Sequence, residues 1–301
     1  MTLQQLVYFL AVARTRHFTR AAEEVRVAQP SLSKQIHALE KELGAELFSR
    51  ARGNITLTPA GEALLPVASR ILSDVDTARL EVAELVGLRR GRVRVGATPS
   101  LCGSIFADVI KRYHDAYPGI HVSVTEGGSR DLVEALEAGA LDLALVIVSP
   151  VDAQRALTVV PVLREELVVA SASPLGVERM SLLDLRNHPL VMFRPGYDLR
   201  ETTLAACRGA GFEPTFAVEG GEMDAVLRFV EVGLGVAIVP STVLAARSLH
   251  GTPLTPGTSR TVGLAHRTDV APTSAARAFR NVLLSYLRGA KMPAGVHLVG
   301  E

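Results

Sequence analysis

The stretch Phe18-Thr19-Arg20-Ala21-Ala22-Glu23, continuing through Gln29-Pro30-Ser31-Leu32-Ser33-Lys34 to Leu43-Gly44 and Leu47-Phe48-Ser49-Arg50, decides how the chain is read. It reads as two short helices joined by a tight turn. The first is expected to start at Thr19, whose hydroxyl can accept from the unpaired N–H groups of a first turn. The second is expected at Gln29-Pro30, with Pro30 at the first helical position, where no N–H is required. Leu32, Ile36, Leu39 and Leu43 recur at helical spacing, which predicts one buried stripe. The other face carries Pro30, Ser33, Lys34, His37 and Lys41. A short polar face with positive charge suits a helix that enters the major groove and meets base edges and phosphates. Taken alone, the same stripe fits an ordinary amphipathic surface helix, the commoner case. The surrounding sequence decides.

Around it stand Leu6-Val7-Tyr8-Phe9, Phe18-Thr19-Arg20-Ala21-Ala22, Ala28-Gln29-Pro30-Ser31-Leu32-Ser33, Ile36-His37-Ala38-Leu39-Glu40, Leu43-Gly44, Leu47-Phe48 and Leu57-Thr58-Pro59-Ala60-Gly61. In this order and spacing, residues 1–60 resemble the N-terminal domain of the LysR-type transcriptional regulators. The resemblance implies a winged helix-turn-helix with Gln29 to His37 in the groove and Ser49 to Thr56 as the wing. Gln29, Pro30, Ser31, Ser33, Lys34 and His37 are then the candidates at the groove. Arg20, Arg50 and Arg52 are the candidates for the phosphate backbone, contacts that position a protein without reading sequence.

At 301 residues the chain suits two or three domains better than one core, and 48 % hydrophobic residues make it globular. A formal net charge of +1 does not advertise nucleic-acid binding, but its distribution does. Residues 1–58 hold eight Lys/Arg against five acids, an excess of +3. Met1-Thr2-Leu3-Gln4 leads directly into an amphipathic pattern without the basic and apolar regions of a secretory signal. No apolar run reaches the roughly 18–20 residues of a membrane span. The expected location is therefore the cytoplasm, with no membrane partner.

In the first helix Leu3, Leu6, Leu10 and Ala13 are expected to form the buried stripe, completed by Phe9 and Phe18. Gly53-Asn54 is expected to turn a hairpin over Glu46 to Thr58. Thr58-Pro59 should cap and open the next helix. There Leu64, Ala68, Ile71, Val75, Ala78, Val82 and Leu85 keep a 3.5-residue repeat over three heptads. That repeat suits a seam between two helices better than burial on a globular core. It matches the family's linker and dimerisation helix, and Pro66 inside it should kink it or delay its regular part. The resemblance implies dimers or a dimer of dimers on double-stranded promoter DNA, with RNA polymerase a further candidate partner.

Leu88-Arg89-Arg90-Gly91-Arg92 reads as a hinge. Beyond it strands and helices alternate: strand Val93 to Ala97, helix Leu101 to Ala116, strand Ile120 to Thr125, helix Arg130 to Ala138, strand Leu141 to Val148. Strands Leu167 to Ser171 and Leu190 to Phe193 follow, then helix Leu199 to Arg208 and strand Thr215 to Glu219. Helix Met223 to Glu231, strand Gly235 to Val239 and a closing helix Thr273 to Arg288 complete the pattern. Such alternation predicts an α/β fold with a largely parallel sheet and ligand crevices at the strand ends. Tyr117-Pro118, Glu137 to Asp142 and Val232 to Pro240 again resemble the family, here its two-subdomain, periplasmic-binding-protein-like effector domain. The expected organisation is a DNA-binding domain over 1–58, a linker helix over 59–88 and an effector-binding domain over 89–301. Within the last, subdomain I takes about 92–162 and 265–290 and subdomain II about 163–264, with crossovers near Val162-Leu163 and Leu264-Ala265.

Three loops between an expected strand and helix carry the candidate ligand groups: Thr98-Pro99-Ser100, Gly128-Ser129, and Arg194-Pro195-Gly196-Tyr197. Each offers small residues, hydroxyls and backbone N–H groups at a helix start, a combination suited to a carboxylate or other anion. Ile147 and Met223 would supply apolar wall. Singly each loop fits a plain turn; at positions matching the family's cleft, Thr98, Pro99, Ser100, Gly128, Ser129, Ile147, Arg194, Gly196, Tyr197 and Met223 become the effector candidates. Cys102 falls where a helix dipole would lower its pKa, so a redox role is open beside a structural one. Peroxide-sensing members of the family use two nearby cysteines, whereas Cys102 and Cys207 stand 105 positions apart in different subdomains.

An α/β enzyme with an appended binding module is the alternative from another class. The chain has no Gly-x-Ser-x-Gly elbow, phosphate loop, His-Glu-x-x-His or dinucleotide fingerprint, and its eight histidines lack metal spacing. No catalytic residue, metal or cofactor is expected beyond a small-molecule effector. A two-lobed solute-binding protein would leave residues 1–88 unexplained.

Overall fold

In the computed structural model, which describes residues 1–49, 55–85, 91–148, 156–245 and 247–299, the chain divides into two compact units. Met1–Leu88 with Glu137–Ala140 form one, and Arg89–Leu136 with Leu141–Glu301 form the other.

The first unit contains α1 (Leu3–Thr15), α2 (Phe18–Glu24), α3 (Gln29–Leu43), strands β1 (Phe48–Ser49) and β2 (Thr56–Leu57), and α4 (Pro59–Leu85). Thr2 and Gln5 cap α1 reciprocally, each side chain accepting from the other's backbone N–H. The face that α1 buries is centred on Leu6, Phe9 and Val12, while Leu3 is exposed; the stripe is rotated from the one expected. Helix α2 starts one residue before Thr19, and its cap is the His17 ring, whose Nδ1 accepts from Arg20 N at 3.4 Å. Thr19 is exposed and inside the helix. Helix α3 begins at Gln29, so Pro30 takes its second position.

Leu32, Ile36 and Leu39 are fully buried as the spacing predicts, but Leu43 is 43 % exposed. The last turn instead turns Glu40 inward. Gly44 ends α3 at φ +69°, a left-handed conformation that favours glycine, and Ala45 N closes onto Glu40 O. Strands β1 and β2 pair antiparallel, Phe48 opposite Leu57. Phe48 fills the centre of the unit, its ring 5.4 Å from Phe9 and 5.9 Å edge-on to Phe18. The expected turn Gly53-Asn54 lies outside the described residues.

Thr58 caps α4 by accepting from Gly61 N at 3.1 Å. Gly61 must be glycine, because a Cβ there would stand 2.2 Å from Leu47 O. The helix is unbroken through Pro66, whose missing N–H leaves the Glu62 carbonyl without its i+4 partner on the exposed side. The expected seam divides in two. Leu64, Ala68 and Ile71, with Leu65 and Leu72, pack into the unit's own core beside α1, whereas Ala78 and Val82 are exposed.

The second unit opens with β3 (Gly91–Ala97), a short helix α5 (Pro99–Leu101), a π-helical turn (Cys102–Phe106) and α6 (Ala107–Ala116). Next come β4 (Ile120–Glu126), α7 (Ser129–Glu137), β5 (Leu143–Ile147) and the long strand β6 (Leu157–Ser171). The short strand β7 (Met180–Ser181), β8 (Leu190–Phe193), α8 (Asp198–Gly209), β9 (Phe216–Gly221), α9 (Met223–Glu231) and β10 (Ala237–Pro240) continue it. A second long strand β11 (His250–Arg267), helix α10 (Ser274–Gly289) and β12 (Val296–Leu298) end the unit. Of these, β7, β11, β12, residues 157–166 of β6 and the π character of 102–106 carry no expectation above.

The main sheet runs β10-β6-β11-β5-β3-β4, with β12 added along β6. It is mixed, not largely parallel. Within it β3 pairs parallel with β4 and β5, but β6 and β11 run antiparallel to each other and β11 antiparallel to β5; β8 and β9 form a separate parallel pair. The parallel pairs are those joined through helices; the two long strands are hydrogen-bonded directly and need no crossover. They also join two cores. One gathers Val93, Val95, Phe106, Val162, Val262 and, from the returning α10, Phe279 and Leu283. The other gathers Leu167 to Ala170, Val191, Phe193, Tyr197, Met223, Leu227 and Leu254. The change of core falls between Leu163 and Leu167 on β6 and between Leu254 and Val262 on β11, earlier than the expected Leu264-Ala265.

Candidate functional site

The outer face of α3 collects most of the groove candidates. Gln29, Pro30, Ser31, Lys34 and His37 are exposed, Ser33 is half-buried, and Arg20 is exposed on α2. Ala28, the cap position, makes no side-chain capping bond; Pro30 has no N–H, and Ser31 N and Leu32 N both donate to Ala28 O. Arg50 and Arg52 lie outside the described residues.

Glu40, which the sequence reading used only as part of a motif, ties this face together. Its Oε1 accepts from Leu47 N at 2.9 Å and Phe48 N at 3.4 Å, at the start of β1. Its Oε2 lies 3.2 Å from Nδ1 of His37. One buried carboxylate thus ties the exposed His37 of α3 to the start of β1. A carboxylate four residues beyond Ile36 on the buried side was the available signal.

In the second unit, Thr98, Ser100, Gly128, Ser129, Tyr197 and Met223 are buried, Pro99 and Ile147 half-buried, and Gly196 exposed. Ser129 Oγ accepts from Ile147 N at 3.0 Å, and its own N–H meets Asp198 Oδ2 at 3.3 Å. Asp198 opens α8, so the first residues of α7 and α8 touch. Arg194 pairs with Glu222 and lies 4.0 Å from Asp131. It is 38 % exposed, and the Glu222 carboxylate raises its already high pKa. Tyr197 stacks on Phe193 with centroids 4.7 Å apart and planes within 7°. Burial pushes its phenol pKa up; Arg260 opposes this, while Glu222, Asp198 and Glu126 add to it. Ser100 Oγ lies 3.3 Å from Thr98 Oγ1 and accepts from Arg260 Nη2 at 2.6 Å. Arg260 and its partner Glu165 were missed, because an Arg and a Glu on separate strands carry no sequence signal of meeting.

A groove of about 490 Å³ opens beside Pro99, Ser100 and Met223, with Leu227 and Val243 on its wall and Asp224, Glu231 and Arg247 at its polar end. It does not include Gly128, Ser129, Ile147, Arg194, Gly196 or Tyr197.

For Cys102 the pKa moves opposite to the direction a helix dipole would give, in line with the structural role rather than the redox one. The residue opens the π turn behind α5, its Sγ 3.6 Å from Ala97 O, and burial first and Glu126 second push its pKa to about 12. Cys207 is fully buried and its pKa is raised as well. Among the described residues no group of three or more His, Cys, Asp or Glu could hold a metal ion, and no helix is long and apolar enough to cross a membrane.

Comparisons with known proteins cover both units. Residues 3–62 match the family model described as bacterial regulatory helix-turn-helix protein, lysR family, and residues 87–288 match the LysR substrate binding domain. The transcriptional dual regulator GltC of Bacillus subtilis is 34 % identical over 272 residues, 88 % of this chain and 90 % of that protein. A probable nitrogen assimilation transcriptional activator of Synechococcus elongatus is 34 % identical over 81 % of this chain and 80 % of its own. Among solved structures, a full-length OxyR variant from Pseudomonas aeruginosa has a TM-score of 0.72 at 26 % identity, covering 100 % of this chain and 98 % of that one. Full-length CbnR in complex with its target DNA has a TM-score of 0.69 at 26 % identity, covering 94 % and 99 %.

Proposed function

Because this chain belongs to the LysR family of bacterial helix-turn-helix regulators, we propose that it controls transcription from a promoter whose half-sites it reads through α3, under a small anionic effector bound between the two cores of its second unit. It is a DNA-binding transcriptional regulator with a substrate-binding domain, not an enzyme. The observation that carries the groove assignment is the exposed row Gln29, Lys34 and His37 on a helix whose other face is sealed by Leu32, Ile36 and Leu39. The similarity to full-length CbnR, solved in complex with its target DNA, supports promoter DNA as the partner. For the effector, support comes from buried hydroxyls of Thr98, Ser100 and Ser129 at strand ends, where open α/β sheets take ligands. The reading includes dimers formed along α4, cytoplasmic action, and effector binding that shifts the population between arrangements of the dimer.

Footprinting of the purified protein on DNA upstream of its own gene, across a salt series, tests this. Two protected half-sites with a steep salt slope are expected, and carboxylates can then be screened on the same DNA. Absence of binding even at low salt would overturn the assignment of α3.

A further inference from the structure

Two strands from different cores share one edge of β6. β10 pairs with Leu167 to Ala170 and belongs to the core of Val191 and Met223. β12 pairs with Leu163 to Glu165; its Val296 is buried in the core of Val93 and Phe279, with Leu298 packed against it. The two strands meet end to end at Glu166, inside the stretch where β6 changes core. Backbone bonds continue past both ends of β12. Glu166 N donates to Gly295 O at 2.7 Å, and Val299 N donates to Val162 O at 3.2 Å.

At the meeting point two adjacent hydroxyls reach over from the turn Ser241–Leu244, whose Val243 lies in the same core as β10. Ser241 Oγ donates to Ala294 O at 2.9 Å. Thr242 Oγ1 donates to the buried Glu165 carboxylate at 3.0 Å, and Arg260 Nε of β11 donates to the same carboxylate at 2.6 Å. Gly295 lets the chain pass here. It has φ +78°, and a Cβ on it would stand 2.9 Å from Ser241 Oγ and 3.2 Å from the Glu166 Cβ. Residues 294–299 lie beyond the stretch 87–288 that matches the LysR substrate binding domain.

Two cores joined by a pair of strands can turn about the few residues where those strands cross over. A third segment rooted in one core and bonded to the other must give up bonds before they turn. We propose that β12 is a strap across this hinge. Anchored in one core by Val296 and Leu298 and tied to the other at Ser241, it limits how far the cores turn about β6 and β11, whatever ligand the cleft takes.

Hydrogen–deuterium exchange of the full chain, read by mass spectrometry, tests the strap with Ser241→Ala and Gly295→Val. The reporter is the backbone N–H of Ser129 on α7, which donates to Asp198 at the start of α8. α8 packs through Leu199 into the core of β10, whereas α7 packs against Val146 of β5, a strand whose Leu143 and Leu145 face the other core. Turning of the cores breaks that bond; fraying of an edge strand leaves it intact. Both variants are expected to speed exchange about fivefold or more in the peptide carrying Ser129 N as well as at 162–166, with α10 unchanged. Faster exchange confined to 162–166 and 294–299 would overturn the strap and leave β12 as a cover for the sheet edge. Parent-like exchange throughout would overturn it too. Should Gly295→Val also loosen α10, Ser241→Ala, which leaves Val296 and the backbone untouched, decides by the same peptide.

Discussion

At the scale of single residues, Glu40 is where chemistry and architecture meet on the DNA-binding unit. Replacing it by Ala leaves Leu47 N and Phe48 N facing a buried space without an acceptor, and frees His37. An unpaired buried donor costs about 1–3 kcal/mol. Glu40→Ala is expected to lose about that much in urea unfolding, with Glu40→Gln, which keeps an acceptor oxygen, closer to the parent. Cys102 gives a prediction of the opposite kind. A thiol whose pKa is pushed up to about 12 is protonated across the neutral range, and only the thiolate attacks. Iodoacetamide at neutral pH is therefore expected to leave Cys102 unmodified in the folded chain by intact mass and to label it after denaturation. Peroxide should change DNA binding of the parent no more than that of Cys102→Ser.

At the scale of elements, α3 divides its labour between faces and along its length. Its apolar stripe was legible in the sequence because helical periodicity acts locally, and Leu32, Ile36 and Leu39 are buried accordingly. Leu43 was misjudged because Gly44 turns the chain there and Glu40, not Leu43, finds partners in β1. Among the exposed residues, Lys34 supplies charge and Gln29 a bidentate amide. Lys34→Ala is expected to weaken binding alike on operator and unrelated DNA and to lower the salt slope by about one. Gln29→Ala should relax sequence preference, costing about 1–3 kcal/mol on the operator only. Equal loss of both kinds of binding in both variants, read by titration on the two DNAs, would refute the division. The caps show the same limit of local reading. Thr58 caps α4 as the Thr-Pro pair suggested, whereas His17 displaced Thr19 at α2, because a ring nitrogen can reach an N–H that a motif assigns to a hydroxyl.

At the scale of the whole molecule, the periodic apolar positions of α4 serve two purposes. Leu64, Ala68 and Ile71 complete the core of the first unit, and Val82 stands 61 % exposed further along. An exposed apolar stripe at seam spacing is what a second copy would cover. Val82→Glu is expected to shift sedimentation toward monomer while leaving the thermal unfolding of the first unit unchanged, since Val82 lies outside its core. The strand–helix alternation of the second unit was also readable, most sharply at Leu190–Phe193 and Met223–Glu231. The sequence by itself determined the helix-turn-helix, the α/β character and the loops that carry Thr98, Ser100 and Ser129. Each of those follows from periodicity, capping residues and turns that act over a few positions. Only the tertiary structure decided that the sheet is mixed, that β6 and β11 are long enough to join two cores, and that Glu165 and Arg260 meet beneath Ser100. Residues 95 positions apart carry no local trace of their pairing; the antiparallel register of two long strands brings them together.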